Sequence, residues 1–154
     1  MKILVFSDSH GEIVHMQEAV DQERPDLIFH LGDHIRDADE LSQQIGTVPV
    51  IRVLGNCDRL SVGQEILLHE CRGVRFYLTH GHRHGVKTGL MRLTYAAMEA
   101  DAQIAVFGHT HRPLCQEMGG VTLFNPGSCG GYGATYGVIE VHDGTFTCEL
   151  MSVE

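Results

Sequence analysis

The chain has no tryptophan, no Cys-x-x-Cys pair and no block of lysine or arginine. Each absence excludes something. The five cysteines stand apart, at positions 57, 71, 115, 129 and 148, which rules out the thiolate clusters of metal-buffering proteins. An odd count of scattered thiols, in a chain without an export signal, predicts free cysteines in a reducing compartment and not a disulfide framework. Eleven basic residues face 20 acidic ones, for a formal charge of −9, and such a balance opposes binding to duplex nucleic acid. The nearest approach to a basic cluster is Arg72, Arg75, Arg83, His84 and Lys87, which would steer one small anion and not hold a duplex. Long hydrophobic runs are also missing. The apolar stretch before Asp8 is too short for a signal peptide or a spanning helix, which predicts a soluble, cytoplasmic protein with no membrane partner. No linker, repeat or low-complexity tract interrupts the 154 residues, so one domain covering 1–154, without a cap or accessory domain, is expected.

What the chain does have is a series of short apolar runs, each followed at once by polar residues able to bind metal. Lys2 to Ser7 leads to Asp8-Ser-His10, Leu27 to Leu31 to Gly32-Asp33, and Val50 to Leu54 to Gly55-Asn56. Val74 to Thr79 leads to His80-Gly-His82, and Ile104 to Phe107 to Gly108-His109-Thr-His111. Continuous apolar runs of this length read as buried parallel strands. Helix-like stretches alternate with them at Glu12 to Glu23, Asp37 to Ile45 and Thr88 to Ala100, a βαβ pattern. From Leu114 onward glycine-separated short strands predict hairpins, with turns at Gly119-Gly120 and Asp143-Gly144. Gly127 to Gly133 reads as a loop. Strand ends in an open α/β sheet converge on one crevice, so Asp, Asn and His from five strands would meet there.

The residue types suit two divalent cations. Asp8 and His10, two apart, would leave the same face of extended backbone and chelate one ion. Asp33 carries two oxygens able to bridge cations about 3.5–4 Å apart. Asn56 offers a neutral carbonyl oxygen, and His80, His109 and His111 offer imidazole nitrogens. This mixed oxygen and nitrogen set favours Mn, with Ni, Zn, Fe or Co as alternatives, over calcium. Taken singly, some segments have ordinary readings. Asp-Ser-His-Gly could cap a helix, and Gly-Asn-Cys-Asp is turn chemistry. Gly-His-Thr-His is harder to explain away, because two alternating histidines after a buried strand gain nothing in packing. His15, His30, His34, His69, His84 and His142 have no such context and read as surface or core residues.

The joint order D-x-H, GD, GN-x-D, HGH and GHTH resembles the calcineurin-like metallophosphoesterase superfamily over nearly the whole chain. The Gly-Asn-Cys-Asp and Thr-His-Gly-His forms, with Asn125-Pro-Gly-Ser128, make it similar to the small prokaryotic YfcE-like phosphodiesterases. The resemblance implies an α/β protein, a four-layer α/β/β/α sandwich of two mixed β-sheets. It implies one metal held by Asp8, His10, Asp33 and His111, and a second by Asp33, Asn56, His80 and His109. Asp33, Asn56 and His82 would be catalytic, His82 by stabilising the developing charge or by supporting His80. The expected activity is hydrolysis of a small phosphodiester through a metal-bridging hydroxide, with a phosphomonoesterase or cyclic-nucleotide phosphodiesterase as alternatives. The sequence is compatible with a homo-oligomer. Two departures stand out. Cys57 occupies a place where many members have histidine, leaving the general acid unassigned, and the Cys129 to Gly133 loop carries no cation, so its backbone amides or Tyr132 would have to contact substrate. A retromer subunit of the same fold serves as a protein-binding platform, which is the non-enzymatic reading. Costly ligands retained at all seven positions argue against it.

Overall fold

The structure is a computed structural model and describes residues 1–153. Two five-stranded mixed sheets pack face to face, with helices on both outer sides. The first sheet has the order β10 (Thr145–Ser152), β9 (Thr135–His142), β1 (Lys2–Phe6), β2 (Leu27–His30), β3 (Val50–Arg52). The second has the order β4 (Ile66–Cys71), β5 (Val74–Thr79), β6 (Ile104–Val106), β8 (Val121–Asn125), β7 (Leu114–Met118). Within each, the central strands pair in parallel (β1 with β2, β2 with β3, β5 with β6, β6 with β8) and the remaining pairs are antiparallel. All five apolar runs are strands, but they divide between the two sheets.

Alternation along each buried strand builds two cores at once. Ile3 and Val5, with Phe29 of β2 beside them, face the second sheet and pack on its Phe76, Val106 and Phe124. Leu4 and Phe6 face the other way, onto Met16, Ala19 and Val20 of α1 (Val14–Glu23) and Leu41 of α2 (Ile35–Gln44). Tyr77, Ala105 and Leu123 of the second sheet likewise pack on Leu93 and Ala97 of α3 (Met91–Glu99). A strand covered on both faces has no reason to alternate with polar residues. That is why these segments read as unbroken apolar runs.

Three hairpins close on two-residue turns, at Arg72-Gly73, Gly119-Gly120 and Asp143-Gly144, each with both residues at positive φ. This is the twist-matched turn that favours glycine or aspartate. The last two were legible in the sequence. The first was not, because arginine is an unusual occupant, and the edge strand β4 went unrecognised with it.

Candidate metal centre

The loops after β1, β2, β3, β5 and β6 meet where the two sheets come together. Their approach is close enough to require glycine. A Cβ on Gly32 would lie 2.6 Å from the backbone nitrogen of Gly55, and one on Gly108 would come within 2.8 Å of Asp8 Oδ2. The glycines that precede Asp33, Asn56 and His109 thus permit the convergence. Asp8, His10, Asp33, His34, His109 and His111 all adopt left-handed backbone, with φ between 49° and 69°. Such conformations cost of order 1–3 kcal/mol each and concentrate at functional sites. They also correct the expectation of extended alternation for Asp8/His10 and His109/His111. The side chains converge because the chain coils, not because it alternates.

Asp8 lies at the centre and is wholly buried. Its Oδ1 is 3.1 Å from His111 Nε2, 3.8 Å from His80 Nε2 and 4.0 Å from His10 Nε2. Its Oδ2 accepts the Ser7 hydroxyl at 2.5 Å and the His109 amide at 3.1 Å. Two groups of donors are close enough to share an ion: Asp8, His10 and His111, and Asp8, Asp33 and His80. The carboxylate common to both is Asp8, whereas the resemblance gave that place to Asp33. His80 approaches Asp33 Oδ2 at 3.5 Å and His109 Nδ1 at 3.2 Å, both through Nε2. Its Nδ1 donates to the Leu31 carbonyl at 2.7 Å. A carbonyl can only accept, so that contact leaves the Nε2 lone pair facing the other donors, as a metal-ligating imidazole requires. Asn56 Oδ1 is buried and has no hydrogen-bond partner among the described residues. An orphaned carbonyl oxygen beside this cluster fits a divalent cation, as does the mixed set of carboxylates and imidazoles.

Charge acts strongly here. Burial opposes ionisation of Asp33, but His80, which donates to it through Nε2 only when protonated and free of metal, and the Cys57 amide 2.9 Å away outweigh it and hold the carboxyl well below its usual range. His80 is disfavoured as a cation by burial, yet Asp33 and Asp8 raise its pKa overall. Burial, then the charges of His80 and Lys87, bring His109 down to about 4. For Cys57 burial, followed by Asp33, pushes the thiol up, so this sulfur stays protonated and is a poor ligand.

Asp58, read only as part of a turn, has a larger role. Its buried carboxylate accepts the amides of Asp33 at 2.8 Å, Gly55 at 2.9 Å and Ile35 at 3.1 Å. One side chain thereby ties the loop after β2 to the loop after β3. His30 and His34 are, as the sequence suggests, a core and a surface histidine, but both lie beside the site. His30 is buried, bonded to Ser9 Oγ at 3.0 Å and to the Gly32 amide at 3.3 Å, and burial lowers its pKa to about 4. The His34 ring sits 5.0 Å from that of His10, at the open rim. Nothing local marks either.

Other expectations are redrawn. No helix begins with a cap from Asp8 or Ser9, because α1 starts at Val14 behind Ile13. His82 packs 5.6 Å from the His80 ring without bonding it and lies 3.9 Å from Glu65. Support for His80 comes instead from Leu31. In the loop from Gly127 to Gly133 part of the amides are taken up within the fold. Those of 129, 130 and 131 bond Ser7, Ser128 and Glu12, and the Ser128 hydroxyl bonds the Asp8 carbonyl at 2.8 Å. This loop braces Asp8, and Tyr132 projects into solvent. The supposed basic cluster is dispersed as well. Arg75 pairs with Glu70 at the far end of β5, Arg83 with Glu65, and His84 is buried against Tyr77.

Comparison with known proteins identifies the family. The family model for the calcineurin-like phosphoesterase superfamily domain matches residues 1–144. YsnB of Bacillus subtilis, named a probable metallophosphoesterase, is 32% identical over 130 residues, covering 83% of this chain and 75% of its own. The phosphodiesterase YfcE of Escherichia coli K12 is 28% identical over 171 aligned positions, covering 91% and 88%. A crystal structure of a predicted phosphoesterase from Streptococcus pneumoniae TIGR4 superposes with a TM-score of 0.80 at 28% identity, covering 98% of this chain and 88% of that one. On these matches the chain belongs to the calcineurin-like phosphoesterase superfamily, in the small prokaryotic branch that includes YfcE.

Proposed function

We propose that this protein is a dinuclear metal-dependent phosphodiesterase acting on a small phosphodiester. The observation that carries the reading is the meeting of Asp8, Asp33, His80, His109 and His111 within hydrogen-bonding or near-contact distance, beside the unpartnered carbonyl oxygen of Asn56. Asp8, His10 and His111 would hold one ion, and Asp33, Asn56, His80 and His109 the other, with Asp33 or Asp8 bridging. Two divalent cations bound there, with Mn first and Ni, Zn, Fe or Co as alternatives, would lower the pKa of water and neutralise charge on a phosphoryl group.

The chain's own residues supply the rest. Buried Asp8 and His80 form a rigid floor, while the half-exposed His10 and His111 open it to solvent. Asp58 fixes the Asp33 and Asn56 loops so that the donors are positioned before substrate arrives. His82, its pKa lowered by burial and then by His80, would donate a hydrogen bond from its neutral ring to developing charge. The acidic surface favours a small diester over duplex DNA. The test is a panel of mono- and diesters assayed with purified protein across Mn, Ni, Zn, Mg and Fe, with metal content measured in parallel. Diester hydrolysis that disappears with chelator and returns with one of these metals is the expected result. Absence of hydrolysis in every combination would overturn the reading.

A further inference from the structure

Lys87 and Arg112 form no ion pair among the described residues and share one cavity that no acidic residue lines. The Lys and Arg ion pairs among the described residues involve Lys2, Arg52, Arg75 and Arg83 only. Arg24, Arg36, Arg59, Arg72 and Arg92 are unpaired as well, but where Arg36 and Arg59 share a cavity Asp58 lines it with them, whereas Lys87 and Arg112 face no carboxylate in theirs. Both line a single open cavity of about 580 Å³, and they are its only charged lining residues. Val86, Leu90, Phe107 and Leu114 give it apolar walls. Its volume lies within the usual range for small-molecule sites, which combine apolar walls with a few polar groups.

The position of this cavity matters as much as its lining. Thr110, which stands between His109 and His111, forms part of the wall. The Thr110 hydroxyl accepts both Asn125 Nδ2 at 3.1 Å and the Arg112 amide at 3.2 Å. Arg112 is therefore tethered to the histidine loop, and its guanidinium remains free to reach a ligand. The turn carrying Lys87 follows His80, Gly81 and His82 directly, and Val86 packs so tightly on Gly81 that a Cβ there would lie 2.8 Å from Cγ2. The cavity is thus built on the same two loops that deliver His80, His109 and His111.

Resting on the phosphodiesterase reading above, we infer that this cavity is a substrate subsite, which takes an arm of the phosphoester bearing a nucleoside-sized body and a second phosphate. The body lies against Val86, Leu90, Phe107 and Leu114, and the second phosphate takes charge-assisted hydrogen bonds from Lys87 and Arg112. The substrate class is then a nucleotide-like ester with two phosphates, one cleaved at the metal centre and one recognised beside it.

The experiment compares two chromogenic diesters that differ only in the second phosphate: thymidine 5′-(p-nitrophenyl phosphate) and the same compound phosphorylated at the 3′ oxygen. The 3′-phosphorylated substrate should show a KM lower by about tenfold or more, the scale of a hydrogen bond to a charged group, with a similar kcat. In a Lys87→Met/Arg112→Met double variant the ratio of the two KM values should fall to about one. Both side chains are exposed, so a thermal melt matching the native protein is the expected check on folding. Calorimetric binding of thymidine 3′,5′-bisphosphate against thymidine 5′-monophosphate reads the subsite without turnover. If no ester is hydrolysed but the bisphosphate binds more tightly in a Lys87- and Arg112-dependent way, the enzyme reading fails and the anion subsite survives. Equal KM values and equal affinities in the native protein, or a preference retained in the double variant, would overturn the inference.

Discussion

Replacing Asp58 by Ala should damage both stability and metal binding, although Asp58 touches neither the proposed ions nor the substrate. Three backbone amides, of Asp33, Gly55 and Ile35, end on its two oxygens at 2.8 to 3.1 Å in a buried setting. A hydrogen bond to a charged acceptor contributes about 1.5–3 kcal/mol net, and an orphaned buried donor costs about 1–3 kcal/mol. Water entering the vacated space would satisfy part of the loss, which places Asp58→Ala near 4 kcal/mol destabilised by that scale. For a chain of this size each kcal/mol lowers the melting temperature by about 2–4 °C, so a drop of about 8–16 °C is expected. Asp58→Asn is the informative control. Its amide oxygen can replace Oδ2, keeping the Asp33 and Gly55 amides, and its NH2 then faces the Ile35 amide, for a cost of about 1–2 kcal/mol. Metal affinity should fall about 10–100-fold in the alanine variant, as when residues that orient ligands are removed. The assays are calorimetric melting in chelator, which isolates the fold, and metal titration of the refolded protein. An alanine variant that melts within about 2 °C of the native protein and binds metal normally would refute the clamp.

Asp33→Asn should abolish diester hydrolysis while the protein stays folded, because it removes one charge that faces His80 at 3.5 Å; full turnover under saturating Mn would count against Asp33 as a bridging ligand. His82→Ala should lower the rate with both metals still bound, the loss growing as the leaving group becomes more basic, and loss of a metal would move His82 among the ligands instead. His30, whose folded pKa of about 4 lies below the ordinary 6.5, should make one contribution to the pH response of the metal-free fold, and His109, also brought down to about 4, another of the same sign. The unfolded chain takes up the His30 proton first, so this contribution is full above pH 6.5 and drains away toward pH 4, with about 2 kcal/mol lost by pH 5 from His30 alone. Chelated wild-type protein should show this loss in urea melts between pH 7 and 5, His30→Gln should show a flatter profile, and equal slopes would remove His30 as a cause.

Much of this protein is written locally. The five buried strands are legible because a strand covered on both faces must be apolar throughout, and the ligands because Asp, Asn and His placed directly after such strands have few other uses. The two hairpins at Gly119-Gly120 and Asp143-Gly144 carry their own turn chemistry. What the sequence leaves open depends on pairs far apart along the chain. That β1 and β5 belong to different sheets follows from how the inner faces pack, since Val5 and Phe76 meet in one core. The left-handed backbone at Asp8 and His109 is imposed by crowding between loops, and the Asp8 carboxylate bonds the His109 amide across 101 positions of sequence. Asp58 resembles any turn aspartate until the loop bearing Asp33 lies against it. The apparent basic cluster dissolves because β5, rising about 3.3 Å per residue, separates Arg72 and Arg75 at its start from Arg83, His84 and Lys87 beyond its end. The residue types and their order were set by chemistry each segment carries alone, whereas orientation, clamping and the neighbours of each charge came from contacts that exist only after the sheets have packed.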